Sequence, residues 1–206
     1  MTIPPMTPKI LLPIGDAAEA VDTLYPFYRV REEGYDAVVA GPEARTYHLV
    51  MHEIPPGWDI TREGPSYHLA ASIAFRDVNP AEYSGLFLTG GRAPEYIRYD
   101  QDLMRIVRHF FAEDKPVAVV CHGAEIVAAA DVIRGKRLAT VAKCRMDVEF
   151  SGGQYVNESC VREGNMVSGR TWHDQHHYMR EFMKMLREQV MRESVEPQIA
   201  IERCLS

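Results

Sequence analysis

Of the four cysteines, Cys121, Cys144, Cys160 and Cys204, only Cys121 stands where chemistry is easy to build. It ends the apolar run PVAVVC (116–121) and is followed at once by His122-Gly123 and a helical pattern. Strand, sharp turn and helix make a nucleophile elbow, which lifts a side chain above the edge of a sheet. A thiol at that turn meets the positive end of a helix, a field that favours the thiolate and can lower its pKa by about a unit or more from ~8.5. Burial in a core strand is the commoner fate of a lone cysteine. His-Gly directly after it is poor strand chemistry and good elbow chemistry. Gly90-Gly91 ends a second apolar run, SGLFLTGG (84–91), where a tight turn can aim backbone amides at a developing oxyanion. Glu19 follows a third run, KILLPI (9–14), at the start of a helical pattern. Its ordinary role there is to complement the helix dipole. Beside a thiolate, like charge would press its carboxyl toward the protonated form, fit to carry a proton on and off a substrate.

The elements that must position these residues alternate. KILLPI reads as a strand buried on both faces, and residues 17–33 place Ala20, Val21, Leu24, Phe27 and Tyr28 at a helical period that ends at Gly34. DAVVAG (36–41) is the next strand. The rhythm breaks over 42–80, where the turn signals PPG and EGP and short polar–apolar alternations predict an inserted β-rich excursion. Leu103, Met104, Ile106, Val107, Phe110 and Phe111 mark a helix over 100–113, stopped by Lys115-Pro116. AEIVAAADVI (124–133) predicts a helix, 159–170 a hairpin turning at Glu163-Gly164-Asn165, and 174–191 a last amphipathic helix. Such units imply an α/β fold, a mostly parallel sheet sandwiched by helices with right-handed crossovers. Ligands of these sheets bind at the carboxyl ends of the strands, which selects Gly15 to Glu19, Gly90 to Glu95 and Cys121 to Glu125. Residues 1–193 read as one domain and 194–206 as a C-terminal tail.

Composition narrows the partners. The 206 residues are 46 % hydrophobic and 25 % charged, near the globular average and enough for one sizeable core. A net charge of -6 leaves no basic surplus for displacing counterions from phosphates, so nucleic acid is not an expected partner. No apolar run reaches the roughly 18 residues of a membrane span, and the first residues lack the basic and apolar regions of a signal peptide; a cytoplasmic location is expected. The cysteines are too sparse for a disulfide framework and show no C-x-x-C pair. GGRAPE is no dinucleotide fingerprint, so no cofactor is expected. His173, His176 and His177 fall on one helix face, but a fourth ligand and an outer shell are not identifiable, so no metal is expected and His173 is read as a pocket-wall residue.

Three blocks, KILLPIGDAAEAVDTLYPFYRVREEGYDAVVAG, LFLTGGRAPEYIR and KPVAVVCHGAEIVAAADVIRGKR, resemble those of the ThiJ/PfpI superfamily, the parkinsonism-associated deglycase group within the class I glutamine-amidotransferase-like, flavodoxin-like fold. The likeness runs from about Lys9 to Leu186, and the insertion is most similar to PfpI-like and glyoxalase-III-like branches. It implies that Cys121 is the nucleophile and that Glu19 hydrogen-bonds its sulfur. It also implies that Glu95 orients His122 from a neighbouring subunit, in a homodimer or larger homo-oligomer, and that Gly91 and the His122 amide face the substrate oxygen. ATVAKCRMD (139–147), Ala124-Glu125 and Trp172-His173-Asp174 depart from the family pattern, which alters the pocket around a kept centre. The implied activity is that of a cofactor-independent cysteine enzyme on small reactive carbonyls, as a glyoxalase III or protein deglycase. Two alternatives are a peptidase or amidase using Cys121, His122 and Glu95, and a redox-sensing or chaperone-like stress protein.

Overall fold

The structure is a computed structural model that describes residues 7–204, with side chains described up to residue 192. Its centre is a seven-stranded sheet in the order β10-β11-β7-β6-β1-β2-β5. Strands β1 (Lys9–Pro13), β2 (Asp36–Gly41), β5 (Ile73–Ala74), β6 (Tyr83–Leu88), β7 (Val117–Val120) and β11 (Met166–Gly169) run parallel; only β10 (Val161–Glu163) pairs antiparallel, across the turn at Gly164-Asn165. Successive side chains of a strand point to opposite faces, and both faces are covered. Leu11, Leu86, Leu88, Val117 and Val119 pack with Leu103, Ile106, Val107 and Phe110 of α3 (Gln101–Ala112) and Ile126 and Val127 of α4 (Gly123–Ala129). Ile10, Leu12, Phe87, Ala118 and Val120 pack the other way, against Val30 of α1 (Ala20–Glu32) and Tyr178, Phe182 and Leu186 of α6 (Gln175–Cys204). This is the expected α/β sandwich.

The excursion at 42–80 resolves into an antiparallel hairpin, β3 (Thr46–Glu53) with β4 (Arg62–Ala70), followed by β5 at the edge of the sheet. The hairpin is tied down over the carboxyl end of β1, where Ala17 N–H donates to His48 O at 2.8 Å and Val50 N–H donates to Ala18 O at 2.9 Å. A small parallel pair, β8 (Arg137–Ala139) with β9 (Gln154–Val156), flanks the other side, with the short helices α2 (Ala93–Ile97) and α5 (Arg145–Phe150) nearby. Two helix ends differ from the sequence expectation. α4 stops at Ala129, because Asp131 takes a left-handed backbone at φ 55 that no helix can carry. α6 continues to Cys204, so the backbone of the expected tail is helical up to that residue.

Candidate active site

Cys121 sits at the predicted elbow. Its φ is 54, left-handed and strained for a residue with a Cβ, and surrounding bonds hold it there. Its N–H donates to Gly169 O at 3.3 Å, and Thr140 Oγ1 donates to its carbonyl at 2.6 Å. The next helix can start immediately because residue 123 is glycine: a Cβ there would lie 2.6 Å from Leu88 O on β6. The sulfur is left at the floor of a cleft of about 390 Å³. His52, Ile54, Ile60 and Thr61 of the hairpin region wall one side; Val141 and Lys143, then Trp172 and His173, close the other.

The expected low pKa is reversed. Cys121 is only 2 % exposed, and burial, joined by the Asp22 carboxyl beside it, pushes the thiol well above its usual range. The amides of His122 and Gly91 face the sulfur and oppose that shift without overcoming it. A seven-residue helix contributes a local field, whereas desolvation acts on the whole charged form. At neutral pH the sulfur rests as a thiol.

Glu19 does not touch that sulfur. Its Oε2 accepts from Asp22 N–H at 2.6 Å and caps α1, while burial raises its pKa and the Asp22 amide and His52 pull it back. The acid beside the thiol is Asp22, one turn further on. A Cβ placed on Gly90 would fall 2.5 Å from Asp22 Oδ2 and 3.1 Å from Cys121 Sγ, so both groups converge on that bare backbone. Asp22 is fully buried, and neither of its oxygens has a hydrogen-bond partner at good geometry. Burial, then the neighbouring Glu19 charge, hold its pKa well above the carboxylate range, so it carries a proton near neutrality. The i, i+3 spacing of Glu19 and Asp22 was the sequence signal, since it puts both on one helical face.

His122 Nδ1 lies 3.3 Å from Cys121 Sγ. Burial, helped by Lys143 and His52, lowers its pKa to about 4, leaving a neutral imidazole able to accept a proton. Gly91 has φ 85, and a Cβ on it would meet Glu19 N at 2.3 Å and Ala17 O at 2.4 Å, so only glycine fits. Glu95 lies on α2 and pairs with Arg92 at 3.8 Å; the groups of its own chain that act on His122 are Lys143, His52 and Asp147. His173 lines the cleft as expected, beside Trp172 at 5.2 Å between ring centroids. His52, which has no local signature in the sequence, is buried, lies 3.1 Å from Glu63 Oε2, and faces the cleft from β3.

Comparison with known proteins agrees with this architecture. The model of the DJ-1/PfpI family matches residues 8–185. The chain is 34 % identical over 179 residues to the deglycase PfpI of Pyrococcus furiosus, covering 87 % of this chain and 99 % of that protein. It is 29 % identical over 182 residues to protein/nucleic acid deglycase 2 of Escherichia coli, covering 88 % and 99 % respectively. The crystal structure of Drosophila melanogaster DJ-1beta superposes with a TM-score of 0.73 at 16 % identity, over 94 % of this chain and 98 % of that one. With a family match across most of its length and a relative 34 % identical over 87 % of this chain and 99 % of that one, the chain belongs to the DJ-1/PfpI family.

Proposed function

We propose that the chain is an enzyme that attacks small reactive carbonyls through Cys121, in the manner of a deglycase or glyoxalase III. The observation that carries this reading is the convergence of a thiol, a protonated buried carboxyl and a neutral imidazole on one sulfur at the floor of a small cleft. The names of the relatives, deglycase PfpI and protein/nucleic acid deglycase 2, support the same class.

With a 2-oxoaldehyde, the sulfur bonds to the aldehyde carbon while its proton passes to His122 Nδ1, 3.3 Å away. The carbonyl electron pair moves onto oxygen, which the amides of His122 and Gly91 can hold. Asp22 gives its proton to that oxygen, and the carboxylate it becomes can then take the proton from the same carbon. The freed electron pair makes an enediolate with the neighbouring carbonyl, whose oxygen takes the proton held by His122. Asp22 then delivers its proton to the second carbon and takes up the one that the first hydroxyl loses, which gives a 2-hydroxy thioester with both side chains back in their starting forms. Water cleaves the S–C bond, releases the 2-hydroxy acid and restores the thiol. No electron is gained or lost by the protein.

The test is direct. Purified protein is incubated with methylglyoxal and lactate is followed by chromatography. Turnover should fall to background in Cys121→Ala; a wild-type rate no faster than that variant would dispose of the reading.

A further inference from the structure

His122, Glu125 and Cys144 form a second cluster behind the nucleophile. His122 ends the elbow, Glu125 lies in the first turn of α4, and Cys144 closes the 3-10 turn Ala142–Cys144. Each offers a donor atom, and the three atoms lie within 4.8 Å of one another, with Cys144 Sγ 3.8 Å from Glu125 Oε1. All three residues are buried, at 6 %, 7 % and 1 % exposure, which sets them apart from surface carboxylates that gather by chance. Glu125 Oε1 is the oxygen beside Cys144, and Glu125 Oε2 is buried without a hydrogen-bond partner. Its nearest cation is Arg98, at 3.5 Å, and that guanidinium is held closer by Asp147, at 3.1 Å.

We infer that His122, Glu125 and Cys144 form a binding site for a divalent cation of the zinc type. Donors no more than 4.8 Å apart place an ion at their centre within about 2.8 Å of each, and zinc bonds of ~2.0–2.3 Å then need the donors to close by roughly half an ångström. An imidazole nitrogen, a thiolate and a carboxylate are the donor set that borderline-soft ions take, with water completing the tetrahedron. The ion's two charges are matched by the thiolate and the carboxylate, while Arg98 and Asp147 balance one another. Binding displaces the thiol proton of Cys144 to solvent. His122 also lines the substrate cleft, which gives the ion a way in.

The consequence for activity rests on the function proposed above. An ion that takes the imidazole's lone pair withdraws the base from Cys121, so the bound form is the inhibited form.

The experiment uses the full chain, stripped with a chelator and titrated with cobalt(II) as a spectroscopic substitute and then with zinc. The expected result is one cobalt per chain, with a thiolate-to-metal charge-transfer band and the intense visible bands of tetrahedral cobalt, both erased by zinc. Cys144→Ser should abolish the charge-transfer band, and Glu125→Gln should weaken affinity by at least about tenfold. Cys121→Ser should keep the band. A wild-type titration without the band overturns the site, as does a band lost with Cys121 and kept without Cys144. If Cys144→Ser does not fold, judged by circular dichroism, unchanged affinity in the near-isosteric Glu125→Gln overturns it alone. Zinc should slow methylglyoxal turnover in the wild type and not in Glu125→Gln at the same concentration. Absence of any turnover would count against the proposed function and leave the spectroscopic answer standing.

Discussion

The buried acid Asp22 gives the most exacting check on the electrostatics of the site. Its side chain is fully enclosed, both oxygens lack a good partner, and burial holds its pKa well above the ordinary value. The unfolded chain releases this proton near pH 4, so between that point and the raised folded pKa the folded state binds the extra proton. The stability Asp22 contributes is therefore fully present below the unfolded pKa and is lost as pH rises, at about 1.4 kcal/mol per pH unit while the folded group stays protonated. Asp22→Asn keeps the shape and the backbone donor to Glu19 and cannot ionise. The variant should gain on the wild type as pH rises from 5 to 7, by roughly 1–3 kcal/mol in all, because that slope vanishes when the side chain cannot ionise. Urea unfolding of both proteins at pH 5, 6 and 7, under reducing conditions, measures the difference. A difference that does not vary with pH, or one in which the wild type gains as pH rises, would show that the native carboxyl is ionised and refute the argument. The same substitution should depress carbonyl turnover, since an amide can donate a hydrogen bond but cannot exchange a proton; stability and activity should move in opposite directions.

Three further outcomes follow from the geometry. Gly91→Ala places a Cβ 2.3 Å from Glu19 N at a left-handed residue, so it should cost at least about 1–2 kcal/mol, read as a lower urea midpoint; a shift under ~0.5 kcal/mol would mean that the turn relaxes freely. Because burial holds Cys121 as a thiol, iodoacetamide should label it at pH 7 more slowly than it labels a free model thiol, and faster as pH is raised; labelling at thiolate speed at pH 7 contradicts the assignment. Ser168 Oγ accepts from the buried Ala139 N–H at 3.0 Å and so ties β8 to the main sheet. Ser168→Ala should leave that donor unpaired and lose about 1–3 kcal/mol in chemical unfolding, and an unchanged midpoint would show that the donor finds another partner.

What could be read from the sequence was what is local. Continuous apolar runs such as PVAVV need both faces covered, so the parallel sheet and the elbow at Cys121 followed from the runs and what ended them. The hairpin at 161–169 and the β-rich excursion were legible from their turn residues. Contacts across the chain were not. Glu19 and Asp22 occupy one face of one helix, and what separates them is the approach of Gly90, some seventy residues away, which leaves Asp22 beside the sulfur and Glu19 as a cap. His52 alternates inward on a strand whose partner and docking surface have no signature near it, so nothing local distinguishes it from His48 or His68. The thiol's protonation failed for a related reason. A helix field can be read from a few residues, but desolvation depends on everything packed around the atom.

The three protonation states in the site have one physical origin. Thiol, carboxylic acid and neutral imidazole are each the uncharged form of a group whose charged form burial penalises. A cleft built this way stores no standing thiolate and no ion pair; it stores two protons and a vacant base. On the proposed chemistry, charge would arise only when a carbonyl carbon arrives for the sulfur to attack, and the amides of His122 and Gly91, which face the sulfur, would then be at hand for the new oxyanion. Such a sulfur resists indiscriminate oxidation and alkylation, which need the thiolate in advance, and answers to electrophiles small enough to reach the floor of the cleft. Ile54 and Ile60 of the hairpin region line the cleft whose floor is the sulfur, so on the proposed chemistry they stand between it and water. Ile54→Ser with Ile60→Ser should therefore speed iodoacetamide labelling of Cys121 at pH 7 by admitting water to the thiol, and labelling as slow as in the wild type would place the barrier elsewhere.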